Sequence, residues 1–173
     1  ADGGGYPLTS VASNHRVLMV TNLNDAVADG MLGLSGQSGN DASHLNQPFD
    51  VAVNAAGRIA VADKGYTNLG PPPTFRGTRV QIFNDLQDGT ADYTYGVAGQ
   101  PGMDTTRLNF PQGVGETDGG WTYVADTLNN RVVLFKNDGD ALADLVINPS
   151  GIAGIGPYQF NAPSDVDVDS SGN

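Results

Sequence analysis

Asp63 with Arg79, and Asp126 with Arg131, set a carboxylate and a guanidinium at the facing ends of successive short apolar runs. Across a hairpin such a pair could hold an anion, or it could clamp backbone carbonyls as a structural ion pair. Arg16 opens a third run of the same kind, Arg16-Val-Leu-Met-Val20. A catalytic residue is needed once and a packing residue once per repeat. Arg16, Arg79, Arg131, Asp63 and Asp126 therefore read as a repeated structural set.

Carboxylates supply the second candidate chemistry. Asp165, Asp167 and Asp169 alternate along Asp165-Val-Asp-Val-Asp169, and in a strand that spacing turns all three to one face. Asp50 and Asn54 hold the corresponding places in Asp50-Val-Ala-Val-Asn54. Around a channel these groups could hold a metal cation or a polar ligand; a solvated lining is the competing use. The turns Asp25-Ala-Val-Ala-Asp29, Asp88-Gly-Thr-Ala-Asp92 and Asp140-Ala-Leu-Ala-Asp144 offer oxygens of the kind calcium takes. They lack the interleaved Asp order and closing Glu of an EF-hand, and Asp also serves turns by bonding its own backbone. No bound cofactor is expected, calcium being the ion with ligands to hand.

Other chemistries are excluded by composition. The chain has no cysteine, hence no disulfide, thiol nucleophile or cysteine-ligated metal. A net charge of -11 with only 8 Lys and Arg argues against a nucleic-acid groove. No apolar run is long enough to span a membrane. No Gly-x-Ser-x-Gly elbow, phosphate-cradling loop or His-Glu-x-x-His helix occurs.

What must position the candidates is a repeat. Arg16, Val17, Asp25, Ala28, Asp29, Gly36, Asn46, Pro48 and Val51 return as Arg79, Val80, Asp88, Ala91, Asp92, Gly99, Asn109, Pro111 and Val114. They return again as Arg131, Val132, Asp140, Ala143, Asp144, Gly151, Asn161, Pro163 and Val166. The step from Arg to Pro is 32 residues in every copy, so one backbone path is predicted three times. The other half varies: Pro111 to Arg131 takes 20 residues and Pro48 to Arg79 takes 31. The difference falls in residues 64–78, which carry Pro71, Pro72 and Pro73. Prolines donate no ladder hydrogen bonds, so this is an inserted surface loop. Its Tyr66, Phe75 and Arg76 are the residue types used by interface hot spots, which makes them candidate ligand-binding residues beside Asp50 and Asn54.

Short alternating runs bounded by Gly, Asp and Asn read as strands. Asp50-Val-Ala-Val-Asn54, Gly113-Val-Gly-Glu116 and Asp165-Val-Asp-Val-Asp169 form the first, and Ile59-Ala-Val-Ala-Asp63 and Thr122-Tyr-Val-Ala-Asp126 the second. The Arg-led runs, including Arg79-Val-Gln-Ile-Phe83 and Arg131-Val-Val-Leu-Phe135, form the third, and residues 31–34, 93–97 and 142–147 the fourth. Four antiparallel strands per repeat of roughly 45–50 residues is the arithmetic of a β-propeller blade. The predicted fold class is all-β, a propeller of four-stranded antiparallel blades with three to a chain. Blade units fall near 14–47 (partial), 48–110, 111–162 and 163–173 (partial) within a single domain, 1–173.

Asn109-Phe-Pro-Gln-Gly-Val-Gly-Glu116, Thr122-Tyr-Val-Ala-Asp-Thr-Leu-Asn-Asn-Arg-Val-Val-Leu-Phe135 and Asp138-Gly139 closely resemble an NHL repeat. The resemblance runs from about Asn14 to Asn173. Asn14-His-Arg-Val17 keeps the Asn-x-Arg-Val signature, while Tyr6-Pro-Leu-Thr-Ser-Val11 departs from the family's second strand. The family implies a closed propeller, commonly six-bladed. Its amidating-lyase branch would imply a histidine-ligated zinc, for which His15 and His44 make an incomplete set within one chain. His15 also occupies the x of Asn-x-Arg, an ordinary turn position.

Three blades do not close a ring of normal geometry, and head and tail together have the length of one connection. A homo-oligomer is expected: a dimer completing a six-bladed ring, residues 165–169 of each copy joining the other's strands from Arg16 and Met31, or an open strand-exchanged assembly. A fragment of a longer product would give the same cut. The expected function is a non-catalytic scaffold for protein, glycan or self-association through blade-connecting loops and exchanged terminal strands. The alternative is a metal-dependent lyase or hydrolase with its site at the channel mouth. Neither nucleic acid nor membrane insertion is expected, and the acidic, cysteine-free surface fits an extracellular or periplasmic setting.

Overall fold

The structure, a computed structural model, describes residues 14–20, 24, 27–68, 74–85 and 89–169. Tyr6 to Val11, Asp25, Asp88 and the three consecutive prolines fall outside these residues. In chain order the strands are β1 (Val17–Met19), β2 (Gly30–Leu32), β3 (Pro48–Val53), β4 (Ile59–Asp63), β5 (Tyr66–Asn68) and β6 (Thr74–Arg76). They continue as β7 (Arg79–Phe83), β8 (Tyr93–Tyr95), β9 (Pro111–Glu116), β10 (Trp121–Asp126), β11 (Arg131–Lys136) and β12 (Leu145–Ile147). A single 3-10 turn, Thr127–Asn129, is the helical element among the described residues. The chain is all-β.

Two four-stranded antiparallel sheets are complete, in the orders β3-β4-β7-β8 and β9-β10-β11-β12. Each is a meander of consecutive strands, with the β5–β6 hairpin set aside from the first. The sheets stack face to face with their first strands, β3 and β9, against each other, which is the disposition of neighbouring propeller blades. β1 and β2 form a two-stranded sheet on the other side of the β3-β4-β7-β8 blade.

The repeat is enforced by the backbone. Positive φ recurs at four places in all three copies. The residue before each Arg is one: His15, Thr78 and Asn130 at 46, 62 and 51°. Gly33, Gly96 and Asn148 form the second set and Gly36, Gly99 and Gly151 the third. The fourth precedes each Pro: Gln47, Phe110 and Ala162 at 60, 54 and 49°. For a residue other than glycine the left-handed region costs roughly 1–2 kcal/mol, so local contacts must hold it. Asn130 Oδ1 accepts the Ala162 N–H at 2.9 Å, and His15 Nδ1 accepts the Gln47 N–H at 3.0 Å.

Strand alternation divides the core into two layers. Ile59, Val61 and Phe83 face Val17, Leu32 and Leu45 of the two-stranded sheet and its following loop. Ala60, Ala62, Val80, Ile82 and Tyr95 face Val114, Val124, Val133, Phe135 and the intervening Leu108. β4 and β7 are therefore buried on both faces. Tyr95 stacks on Phe135 with ring centroids 4.4 Å apart and 12° between planes, tying the fourth strand of one blade to the third of the next.

Residues 163–169, expected to pair as a strand with another copy, lie against β9 and form no ladder with the described residues of this chain. They approach so closely that a Cβ on Gly113 would sit 2.4 Å from the Asp165 Cα. Within the inserted segment 64–78, Tyr66 pairs with Arg76 and Asn68 with Thr74 as an antiparallel hairpin.

Candidate functional site

Each recurrent Asp–Arg pair lies at the closing rung of its hairpin, Asp63 opposite Arg79 and Asp126 opposite Arg131. Arg79 Nε donates to Asp63 Oδ2 at 3.0 Å, and Arg131 Nε to Asp126 Oδ2 at 2.7 Å. The rest of each guanidinium grips the loop arriving from the preceding blade. Arg79 reaches the carbonyls of Asn40 at 2.6 Å and His44 at 2.7 Å; Arg131 reaches those of Met103, Asp104 and Arg107 at 2.6, 3.0 and 2.9 Å. The second carboxylate oxygen accepts a loop N–H, from Asn46 to Asp63 and from Asn109 to Asp126, the latter at 2.6 Å. Each guanidinium is thus taken up by one carboxylate and by loop carbonyls, the arrangement of a structural clamp. Burial pushes Asp63 up to about 6, against the pull of Arg79, and Asp126 upward for the same cause. Arg16, at the same place, donates from Nη1 to Ser35 Oγ at 3.0 Å.

The inner-strand carboxylates serve the backbone as well. Asp50 accepts the Val51 N–H on Oδ1 at 2.8 Å and, across the blade boundary, the Val114 N–H on Oδ2 at 2.9 Å. The position before Val114 is Gly113, which cannot cap that N–H itself. Asn54 donates to the Thr117 carbonyl at 3.2 Å and accepts the Arg58 N–H at 3.0 Å. Asp165 and Asp167 cap the N–H groups of Val166 and Val168 at 2.9 and 2.8 Å, and Asp169 lies farther along the same exposed segment. Asp50, Asp165 and Asp167 line a cleft of about 350 Å³ between β3, β9 and the extended segment. Among the described residues no three His, Asp or Glu side chains converge as a metal-binding group.

Two polar clusters have no forerunner in the sequence reading. Glu116, at the end of β9, accepts Arg58 Nε at 2.9 Å and Thr122 Oγ1 at 2.5 Å, and burial pushes its carboxyl up. In the loop gripped by Arg79, Asp41 Oδ1 lies 2.6 Å from His44 Nδ1 and 2.9 Å from Ser43 Oγ. Serine, histidine and aspartate together suggest a nucleophile, but both Asp41 and Ser43 face the same ring nitrogen. The next loop builds the same turn from Asp104, Thr106 and Arg107, with Arg107 Nε donating to Asp104 at 2.8 Å and Thr106 Oγ1 at 2.9 Å. A turn repeated with arginine in place of histidine holds the loop rather than activates an alcohol. Its hydrogen bond to His44 lowers Asp41 to about 2, and Arg107 lowers Asp104 in the same way.

On the β5–β6 hairpin Tyr66 and Arg76 are exposed and Phe75 is half-buried. Arg76 leans back to the Ser38 carbonyl at 3.4 Å, and the hairpin base is sewn in by Gly65 N–H to Asn46 O and Gly99 N–H to Gly77 O at 2.8 and 2.7 Å. The hairpin is thus a rigidly based projection. The inner-strand cleft and this projection are separate features.

No family model matches the chain, and no curated protein matches it. Among solved structures it is similar to Kuenenia stuttgartiensis hydrazine synthase, with a TM-score of 0.49 and 14% identity over 79% of this chain. The match covers 30% of that protein's chain, so this chain spans less than a third of its length.

Proposed function

We propose that the chain is a non-catalytic, NHL-type propeller scaffold that binds a protein, a glycan or its own copies through the loops joining its blades. The observation that carries this reading is the β5–β6 hairpin, an insertion in one repeat that presents Tyr66 and Arg76 to solvent from a hydrogen-bonded base. Rigid aromatic and guanidinium groups bind with little loss of conformational freedom. The recurrent Arg79 and Arg131, and Asp50 on the inner strand, support the scaffold reading over a metal-dependent lyase or hydrolase, since they are bound to backbone of a neighbouring loop or blade. An extracellular or periplasmic setting accords with it.

The test compares the chain with Tyr66→Ala, Arg76→Ala and a variant whose residues 64–78 are replaced by Thr-Leu-Asn-Asn, the connection used by the sister blade. Glycan and peptide arrays should show ligands that the replacement loses while its melting temperature holds. Undiminished array binding by the hairpin-less variant would move the site elsewhere.

A further inference from the structure

Two faces of the chain carry positions more exposed than their repeat counterparts. On the loop side, Leu45 and Leu108 are buried while Phe160 at the same place is half-buried, and Tyr158 is exposed where Ser43 and Thr106 are half-buried. On the strand side, Leu18 of β1 is 42% exposed where Gln81 and Val133 are buried, and Val20 is 42% exposed where Phe83 and Phe135 are buried.

Inside the chain these two kinds of face meet each other twice. Loop 39–45 lies under Arg79 and Gln81, with Gln81 Nε2 and the Ala91 N–H both donating to Ala42 O, at 3.1 and 2.9 Å. Loop 102–108 lies under Arg131, and the Ala143 N–H donates to Thr105 O at 2.8 Å. The third loop is closed in the same way: Gly154 N–H donates to Phe160 O at 3.2 Å, as Gly102 N–H does to Leu108 O at 3.1 Å. Asn148 and Asn130 hold it onto its own blade through Ile152 O and the Ala162 N–H. Yet no described residue donates to the carbonyls of Ile155, Pro157 or Gln159, the counterparts of Asn40, Ala42 and His44.

We infer that loop 152–160 is a docking surface for the β1–β2 face of a second copy of this chain. Leu18 and Val20 take the places that Gln81 and Phe83 take over loop 39–45, and Ala28, exposed where Ala91 and Ala143 donate, supplies the matching N–H. The two internal interfaces fix the chemistry of the occupant: a two-stranded face of this same repeat. Two complete sheets stand between the matching halves within one chain, so the halves meet between copies. A reciprocal contact of this kind closes as a dimer. The loop is already ordered, so little freedom is lost on docking. This contact goes beyond the binding proposed for the β5–β6 hairpin and uses a different face, so either can fail without the other.

The test uses the whole chain, in which engineered cysteines are the only ones. Light scattering at micromolar concentration should give twice 17.9 kDa. Mild oxidation of Leu18→Cys/Pro157→Cys should give a covalent dimer that neither single variant gives; a ladder of larger species would support the same contact running head to tail. Tyr158→Asp alters a side chain that is exposed where its counterparts Ser43 and Thr106 are half-buried, and should raise the dissociation constant by about tenfold or more with circular dichroism unchanged. A folded monomer, or a dimer indifferent to Tyr158→Asp and refractory to cross-linking, overturns the inference; the monomer would point to a blade supplied within one polypeptide.

Discussion

Arg58 Nε lies 2.9 Å from Glu116 Oε2 across the boundary between the two complete blades, with both side chains shut away from water. The pair belongs to one blade boundary, since Val53 and Val168 stand at the place of Glu116 in the other copies. Glu116→Ala would leave a buried guanidinium uncompensated, and the unfolding free energy should fall by about 3–5 kcal/mol. Arg58→Met/Glu116→Val removes both charges and restores the sibling residue at 116, so it should recover most of that loss. Urea denaturation of both variants is the measurement; an equal loss in each would assign the effect to packing rather than charge.

Arg131 is held by one carboxylate and three carbonyls. Arg131→Ala strands the buried Asp126 charge, and a loss of about 3–5 kcal/mol is expected. Arg131→Lys keeps the charge but not the planar fork that spans four acceptors, so it should fall between the variant and the parent. Thermal melts at neutral pH would decide, and a lysine variant as stable as the parent would show the carbonyl contacts to be dispensable.

Stability should rise on mild acidification. Burial holds Asp63 at about 6, and Asp126 and Glu116 are also raised, so the folded chain takes up protons before the unfolded chain does. Their contribution is complete below the ordinary carboxylate range and is lost as pH rises through the folded values, about 6 for Asp63. Asp41, lowered to about 2, acts in the opposite sense, its contribution being lost as pH falls toward that value. Urea midpoints should therefore climb from pH 7 to about 4.5 and fall again in stronger acid. Asp63→Asn should flatten the climb.

His15 works against that climb. Burial, and then the charge of Arg76, lower its imidazole, so its contribution is present above the ordinary histidine value of 6.5 and lost as pH falls through the folded value. Asn130 performs the same task one repeat later, its Oδ1 accepting the Ala162 N–H as His15 Nδ1 accepts that of Gln47. His15→Asn should match the parent at pH 8 and exceed it at pH 5. Coincident pH profiles for the two proteins would show that His15 does not titrate with folding.

Replacing residues 64–78 by Thr-Leu-Asn-Asn should change stability by no more than about 1 kcal/mol, because loop length enters closure entropy only logarithmically. The inserted turn already bridges Asp126 and Arg131, a rung equivalent to Asp63 and Arg79. Retaining Gly65 and Gly77 is unnecessary if the sister turn supplies its own Leu128 N–H, which bonds Asn109 O at 3.1 Å as Gly65 N–H bonds Asn46 O. A larger loss in chemical denaturation would mean that the hairpin base contributes to the blade interface.

The sequence by itself determined the period, because copies of fixed length must repeat one path. It therefore set the strand order and the pairing of Asp63 with Arg79, since hairpin register is a local property. Tertiary structure alone decided what those side chains hold. Arg79 grips carbonyls of residues some forty positions earlier, Asp50 caps Val114 across 64 positions, and Arg58 finds Glu116 across 58. Carbonyls and N–H groups are the same at every residue, so no pattern of side-chain types marks which of them a guanidinium or carboxylate will meet. Folding also decided that Tyr66–Asn68 pairs with Thr74–Arg76 and that residues 163–169 form no ladder among the described residues, because pairing needs a neighbour in space and the residue types of a strand do not supply one.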